Sequence, residues 1–259
     1  EPDVATLVER ASRPRVVAIG ETGLDYYRLT GDLSWQRERS AGGEWRRVTY
    51  AEALQRVRHI GSALLTRGLS SARPVAILSG NDIEHLLLSL ACLYIGVPYS
   101  PVSASYSTLA SDHGKLRYVL ELLTPGLIAV FPASDREAQL FRQAIADAVP
   151  PETPLLSQRS FDLPHPQLAW DSICTSPATP AVDIAHLAVD ADTIAKFLLT
   201  SGSTGQPKAV ITTQRMLCSN QQMIATHLPF LAATPPVLVD WLPWNHVFGG
   251  SHNVGIALY

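Results

Sequence analysis

The sequence is poor in cysteine, and its three cysteines form no recognisable pattern. Cys92, Cys174 and Cys218 are odd in number and widely separated along the 259 residues. A disulfide framework needs paired cysteines in a short chain, and a zinc site needs cysteines or histidines at close, fixed spacing. The cysteines fit neither kind of site. They predict reduced thiols and a cytoplasmic protein.

The sequence also lacks an excess of charge and a long apolar run. A total of 20 basic and 23 acidic residues gives a net charge of -3, so no electrostatic reason exists to expect a nucleic-acid or membrane partner. The longest apolar stretch, residues 86–97, is too short to cross a bilayer and is interrupted by Ser89 and Gly96. No signal-peptide pattern opens the chain. The 46% hydrophobic content predicts a globular protein with a sizeable core.

Helix and strand patterns alternate from residue 45 onward. Thr49 and Glu52 have the spacing of a capping box, which predicts a helix that ends at Gly68. The expected buried face of this helix consists of Leu54, Val57, Gly61 and Leu64. The later segments predict strands at 74–79, 97–102 and 127–131 and helices at about 83–95, 112–123 and 135–149. The alternation indicates an α/β fold with a mainly parallel sheet flanked by helices.

The segment from residue 150 to 190 is rich in proline and alternates short apolar runs with turns. This pattern predicts a surface excursion without a core of its own. His165 stands between Pro164 and Pro166, and we expect it to be an exposed loop histidine.

A loop of small and hydroxyl residues follows the apolar run 194–199. Its candidate anion-binding residues are Thr200, Ser201, Gly202, Ser203, Thr204, Gly205 and Lys208. Small residues let backbone N–H groups approach a phosphate, hydroxyls add donors, and a lysine adds a positive charge. The loop differs from the common P-loop, because Pro207 directly precedes Lys208.

A second candidate site is the turn from Trp241 to Gly250. The imidazole of His246 could hydrogen-bond an anionic ligand, and the rings of Trp244 and Phe248 could enclose an apolar group. The alternative is that His246 is a core histidine.

Residues 196–210 closely resemble the phosphate-loop signature of the adenylate-forming superfamily, which includes acyl-CoA synthetases and adenylation domains. Residues 241–250 are similar to its Leu-Pro-x-x-His-x-x-Gly segment, with matches at Leu242, Pro243, His246 and Gly249. Ala209 departs from the glycine usual in the family, and its methyl group is expected to restrict the backbone there. The region from residue 41 onward most resembles the feruloyl-CoA synthetase subgroup.

The resemblance implies a two-step ligase that uses ATP, Mg²⁺ and CoA on a small carboxylic acid, with aromatic acids among the candidates. It implies that the residues of the phosphate loop hold the β- and γ-phosphates of ATP. Lys208 and His246 would then be catalytic, and Trp244, His246, Phe248 and Gly249 would bind the acyl substrate.

A shorter resemblance lies near the start of the chain. Residues 20–25, Gly-Glu-Thr-Gly-Leu-Asp, are similar to a signature of TatD-like metal-dependent hydrolases, in which the glutamate is a metal ligand. The domain prediction is therefore a hydrolase-like fragment of a barrel at 1–40 and a partial AMP-binding domain at 41–259, truncated at both ends. One alternative function is a metal-dependent nuclease with Glu21 as a ligand, although one carboxylate is too few for a catalytic metal. Another is a non-catalytic nucleotide-binding remnant, and we expect the chain to be an inactive chimera or fragment.

Overall fold

The computed structural model describes residues 25–26, 34–39, 45–110, 112–200, 205–233 and 238–258. Two compact units divide the chain: the first takes Glu1–Ala53 and Met216–Tyr259, and the second takes Leu54–Arg215. The divisions fall within two helices, α1 (Tyr50–Leu65) and α8 (Gln214–His227).

The second unit contains one sheet and most of the helices. Its strands are β4 (Val75–Ser79), β5 (Tyr99–Val102), β6 (Leu127–Phe131), β7 (Leu155–Ser157), β8 (Gln167–Ala169), β9 (Ile194–Thr200) and β10 (Lys208–Thr213). Its helices are α2 (Ile83–Ile95), α3 (Ser105–Thr108), α4 (Gly114–Leu123), α5 (Asp135–Ala148), α6 (Trp170–Cys174) and α7 (Pro180–Leu187).

The sheet has seven strands in the order β10-β9-β5-β4-β6-β7-β8. Every neighbouring pair is parallel except β9 and β10, which are antiparallel. The prediction of an α/β fold with a mainly parallel sheet is confirmed. The strand segments predicted around 74–79, 97–102 and 127–131 form the centre of this sheet.

Helices cover both faces of the central strands. Ala76 and Leu78 pack into one buried cluster with residues of α4 and α5. All five positions of β4 are buried, so the opposite face is covered too. On that side α1, α2 and α7 pack closely, since a Cβ on Gly61 would lie 2.9 Å from the side chains of both Ile95 and Val182. This double burial explains why the central strands are continuously apolar.

The helix ends follow the local signals in the sequence. The Thr49 N–H donates to Glu52 Oε2 at 2.7 Å, and the Glu52 N–H donates to Thr49 Oγ1 at 3.1 Å, which confirms the capping box. Gly68 follows α1 with a positive φ of 61°. The predicted buried face was partly wrong, because Leu54 is 50% exposed, and the adjacent Ala53 is buried instead.

The segment from residue 150 to 190 contributes to the sheet and core, contrary to the prediction. Strands β7 and β8 extend the parallel sheet, and Trp170 and Ile173 are buried. His165 is 6% exposed, and its Nε2 lies 3.4 Å from the Val149 carbonyl oxygen, so it is no surface histidine. Three-residue strands are too short to show a period in the sequence, which is why they were missed.

The first unit contains the strands β1 (Asp25–Tyr26), β2 (Ser34–Arg39), β3 (Trp45–Thr49) and β11 (Leu238–Val239). Its other elements are α9 (Pro229–Ala233), a π-helix (Phe248–Asn253) and α10 (Val254–Leu258). β2 pairs antiparallel with β3, and β1 pairs antiparallel with β11. Glu21 and Ser40 lie outside the described residues, so the hydrolase-like segment and the boundary near residue 40 stay predictions.

Candidate functional site

The proposed phosphate loop connects two paired strands. Thr200 ends β9, Lys208 begins β10, and the two residues are direct partners across the antiparallel pair. Both are exposed. Neighbours in such a pair have Cβ atoms about 4.5–5.5 Å apart, so the hydroxyl and the ammonium group stand at the same mouth of the loop. Ser201, Gly202, Ser203 and Thr204 lie outside the described residues.

The end of the loop depends on glycine. Gly205 has a φ of 85°, in the left-handed region that side chains with a Cβ rarely adopt, and it is exposed. Pro207 is buried beside the exposed Lys208. Ala209, which departs from the family pattern, lies in β10 and pairs in regular register with Leu199 of β9. Among the described residues, Thr124 is the one non-glycine residue with a positive φ. Ala209 therefore has no left-handed backbone conformation, and its methyl group imposes no visible backbone strain.

The topology of the second unit brings this loop to the edge of the sheet where ligands usually bind. β9, β5 and β4 are neighbours and parallel, so their carboxyl ends lie along one edge. The chain leaves β4 for α2, and it leaves β5 through the short α3 for α4; α2 and α4 cover opposite faces. Such a reversal creates a crevice at the carboxyl ends of the strands, the usual ligand site of open α/β sheets.

The loop after β4 is held by its own hydrogen bonds. Asp82 accepts the backbone N–H of His85 at 2.6 Å and contacts the Ser79 hydroxyl, while His85 Nδ1 lies 2.9 Å from the Gly80 carbonyl oxygen. Asp82 is thus the N-cap of α2. These residues lie at the carboxyl end of β4, along the edge of the crevice.

Lys196 was missed in the sequence because it stands inside an apolar strand. It is 1% exposed, and burial lowers the pKa of its ammonium group to about 7. Its Nζ lies 5.8 Å from the centroid of the Tyr99 ring, opposite it in the sheet. Burial likewise raises the pKa of Tyr99 and of Cys92 above their usual values. The signal in the sequence that could have identified this residue was a lysine within the otherwise apolar run 194–199.

The second candidate site belongs to the first unit. His246 is exposed, which contradicts the alternative of a core histidine. Phe248 is 51% exposed and stacks on His252 with ring centroids 4.4 Å apart. Trp244 is only 3% exposed, and its indole N–H donates to Asp240 at 3.3 Å. The structure therefore places His246 and Phe248 at the surface of the turn and Trp244 beneath it.

Two glycines allow the turn to close on itself. A Cβ on Gly249 would lie 2.6 Å from the carbonyl oxygens of Leu242 and Pro243, and one on Gly250 would lie 2.0 Å from that of Trp244. These contacts are with backbone atoms, which cannot move aside as a flexible side chain can. Gly249, predicted as a substrate residue, is buried and has a structural role in this turn.

The phosphate loop and this turn thus belong to different units of the chain. A cavity of about 570 Å³ also occurs in the second unit, but it is lined by Arg73, Gly126 and Pro154, which precede β4, β6 and β7. It therefore opens at the amino edge of the sheet, away from the phosphate loop. Among the described residues no cluster of three histidine, cysteine, aspartate or glutamate side chains could hold a metal ion.

Within the described part of the chain, no helix has the length and apolar character needed to cross a bilayer. The hydrolase alternative depends on Glu21, outside the described residues, and it stays a prediction.

Comparison with known proteins gives a consistent result. A long-chain-fatty-acid–CoA ligase of Drosophila melanogaster, named heimdall, is 23% identical over 235 residues, which is 87% of this chain and 33% of the ligase. The structure of ATP-bound MatB from Rhodopseudomonas palustris matches 84% of this chain and 39% of its own, with a TM-score of 0.57 and 23% identity. A fatty acyl-adenylate ligase from L. pneumophila, in complex with acyl adenylate and pyrophosphate, matches 83% of this chain and 33% of its own, with a TM-score of 0.58 and 20% identity.

The chain spans less than two fifths of the length of each of these proteins. At such identities the two structural matches establish the fold of the large domain of adenylate-forming enzymes. The sequence pattern of one family, described as AMP-binding enzyme, matches residues 33–259. This match covers most of the chain and includes both the phosphate loop and the turn around His246, so the protein belongs to the AMP-binding enzyme family of adenylate-forming ligases.

Proposed function

We propose that this chain provides the phosphate loop and part of the acyl-binding surface of an ATP-dependent carboxylate–CoA ligase. The observation that carries the proposal is the pairing of Thr200 with Lys208 at the carboxyl edge of the parallel sheet, beside the crevice between β4 and β5. A hydroxyl and an ammonium group at the mouth of a glycine-containing loop suit the oxygens of a polyphosphate.

The proposed reaction has two steps. A carboxylate oxygen of the substrate attacks the α-phosphorus of ATP, the bond to the β-phosphate oxygen breaks, and acyl adenylate and pyrophosphate form. The sulfur of CoA then attacks the acyl carbon, AMP leaves, and the thiol proton is released. Lys208 would neutralise charge on the leaving pyrophosphate, and the Thr200 hydroxyl would donate a hydrogen bond to it.

His246 would bind the substrate carboxylate in this scheme. Its exposed imidazole can donate a hydrogen bond to a carboxylate oxygen, and the adjacent exposed ring of Phe248 offers an apolar surface for the acyl group. Trp244 is buried, so we assign it to the support of the turn.

The cofactors are proposed on the same basis. ATP fits the loop because the described donors, Thr200 and Lys208, carry the groups that bind phosphate oxygens. Mg²⁺ would neutralise phosphate charge, and it would take most of its ligands from phosphate and water, since the described residues hold no carboxylate cluster for it. CoA is proposed from family membership.

The substrate class is a small carboxylic acid. The Drosophila relative is named for long-chain fatty acids, whereas the resemblance to the feruloyl-CoA synthetase subgroup favours aromatic acids. Octanoate and benzoate distinguish these classes, because either acid can make the same carboxylate contact with His246. The better-binding acid indicates whether an aliphatic or aromatic chain fills the acyl surface.

ATP titration by calorimetry tests the phosphate loop. Replacing Lys208 with alanine removes one charge-assisted contact, which is worth about 1.5–3 kcal/mol, so the dissociation constant should rise about tenfold or more. The matched control is Lys115→Ala, since Lys115 is an exposed lysine on α4 and should leave ATP affinity unchanged. Equal ATP affinity of the Lys208→Ala variant and the unmodified chain would show that Lys208 does not bind phosphate. That result would favour the alternative of a non-catalytic remnant.

We further propose that these 259 residues alone do not complete the reaction. They span about a third of the Drosophila ligase, and the family places adenine, ribose and CoA contacts along the rest of its length. Incubation with ATP, Mg²⁺, CoA and octanoate or benzoate should yield no thioester by mass spectrometry. Thioester formation at an ordinary enzymatic rate would refute this part of the proposal.

A further inference from the structure

We propose that Asp240 is the positioning residue that fixes the shape of the turn carrying His246, and thereby the site of the substrate carboxylate. The inference rests on the proposed function for its consequence in binding. Its structural basis is independent of that function. Asp240 is 2% exposed, directly follows β11, and belongs to the same unit as the whole turn.

The carboxylate of Asp240 joins three parts of the segment 242–253. The Leu242 backbone N–H donates to Oδ1 at 3.2 Å, and the Asn253 side-chain amide donates to the same oxygen at 2.6 Å. The Trp244 indole N–H donates to Oδ2 at 3.3 Å. One side chain therefore holds the beginning of the turn, the buried ring beneath it and the end of the π-helix.

These contacts require a group that only accepts hydrogen bonds. A backbone N–H, an indole N–H and an amide NH₂ are all donors, and a carboxylate offers two oxygens to them. An asparagine of nearly the same shape keeps one oxygen and places its own NH₂ against at least one donor. Such a donor–donor contact in a buried site costs more than the loss of a single exposed hydrogen bond. The surroundings of Asp240 thus select aspartate over its amide.

The turn transmits this anchoring to His246. The His246 N–H donates to the Pro243 carbonyl oxygen at 3.0 Å, and the Gly250 N–H donates to the His246 carbonyl oxygen at 2.9 Å. The backbone of His246 is therefore tied to Pro243, which lies between Leu242 and Trp244, and to Gly250, which lies in the π-helix that ends at Asn253. A π-helix is rare and occurs often at functional sites, and here it begins two residues after His246.

The consequence is a selective loss of carboxylate binding in an Asp240→Asn variant. The phosphate loop belongs to the other unit, whereas the partners of Asp240 are Leu242, Trp244 and Asn253 in its own unit. ATP affinity should therefore stay within about twofold of the unmodified chain. Affinity for the better-binding acid of octanoate and benzoate, measured with ATP present, should fall about tenfold, as expected for a misplaced charged hydrogen bond. The matched control is Asp162→Asn, since Asp162 is fully exposed, and this variant should keep both affinities.

A second measurement examines the turn directly. In a ¹⁵N–¹H spectrum the indole N–H signal of Trp244, assigned with a Trp244→Phe variant, should exchange slowly in the unmodified chain because it is buried and hydrogen-bonded. Asp240→Asn should speed this exchange at least about tenfold, whereas Asp162→Asn should not. Unchanged exchange in Asp240→Asn would overturn the proposal, as would unchanged acid affinity where the unmodified chain binds the acid.

The two measurements separate the proposals. If the unmodified chain binds neither acid, the proposed function fails at the acyl surface, and the claim that Asp240 positions a substrate falls with it. Indole exchange would still decide whether Asp240 holds the turn. If the acid binds and both readouts change in Asp240→Asn alone, both proposals stand.

Discussion

At the scale of single residues, burial decides the chemistry of Lys196. Its ammonium group lies within the sheet opposite Tyr99, and burial lowers its pKa from 10.5 to about 7. The unfolded chain keeps the proton at pH 8 and 9, whereas the folded chain mostly loses it. The unfolded state therefore binds more protons at this position, so Lys196 contributes a rise in the free energy of unfolding with pH between about 7 and 10.

We predict that replacing Lys196 with methionine removes this pH dependence. One proton of difference corresponds to a slope of up to about 1.4 kcal/mol per pH unit. Urea unfolding between pH 7 and 8 measures the slope, because Cys92 and Tyr99 stay mostly protonated there in the unfolded chain, below their ordinary pKa values, and in the folded chain, where burial raises those values. Lys115→Met, at an exposed position, should keep the slope of the unmodified chain. A slope that persists in Lys196→Met would contradict the assignment.

The close backbone contacts of the turn give a second prediction at this scale. Gly250→Ala places a methyl group 2.0 Å from the position of the Trp244 carbonyl oxygen, so the backbone must shift. We expect a destabilisation of about 1–3 kcal/mol, measured as a lower urea midpoint. Gly80→Ala is the matched control, since a Cβ at Gly80 meets no atom within 4 Å. Equal urea midpoints in the two variants would show that the turn accommodates a methyl group at position 250.

At the scale of elements, the helix caps were predicted well because they depend on neighbours in the sequence. Thr49 and Glu52 form the expected capping box, and Gly68, the expected end, follows α1 in the left-handed conformation. Tertiary packing decided the elements that local patterns missed. β7 and β8 are three residues each and gain their hydrogen bonds from strands elsewhere in the sheet.

The cap of α2 provides the prediction at this scale. Asp82→Ala removes the acceptor of the His85 N–H at the start of a largely buried helix. The expected loss is about 1–2 kcal/mol of unfolding free energy, read from urea unfolding. Asp162→Ala is the comparison, because it also removes a carboxylate, but from a fully exposed position. An equal loss in the two variants would argue against the cap as the source of the effect.

At the scale of the whole molecule, the second unit contains all seven strands of the main sheet and the helices that cover it. We predict that residues 50–215, which retain all of α1, fold without the rest of the chain because their core is complete within them. Circular dichroism should show mixed helix and strand, and urea unfolding should be cooperative. Absence of a cooperative transition would mean that this core needs residues outside the fragment.

The sequence by itself determined the family, the alternation of helices and strands, and the candidate residues Thr200, Lys208 and His246. These follow from short motifs and from periodicity, which are properties of neighbouring residues. Only the tertiary structure decided that Trp244 and Lys196 are buried and that Asp240 holds the turn around His246. Burial and hydrogen-bond partners come from segments that are distant along the chain, and no local pattern specifies which of them will meet.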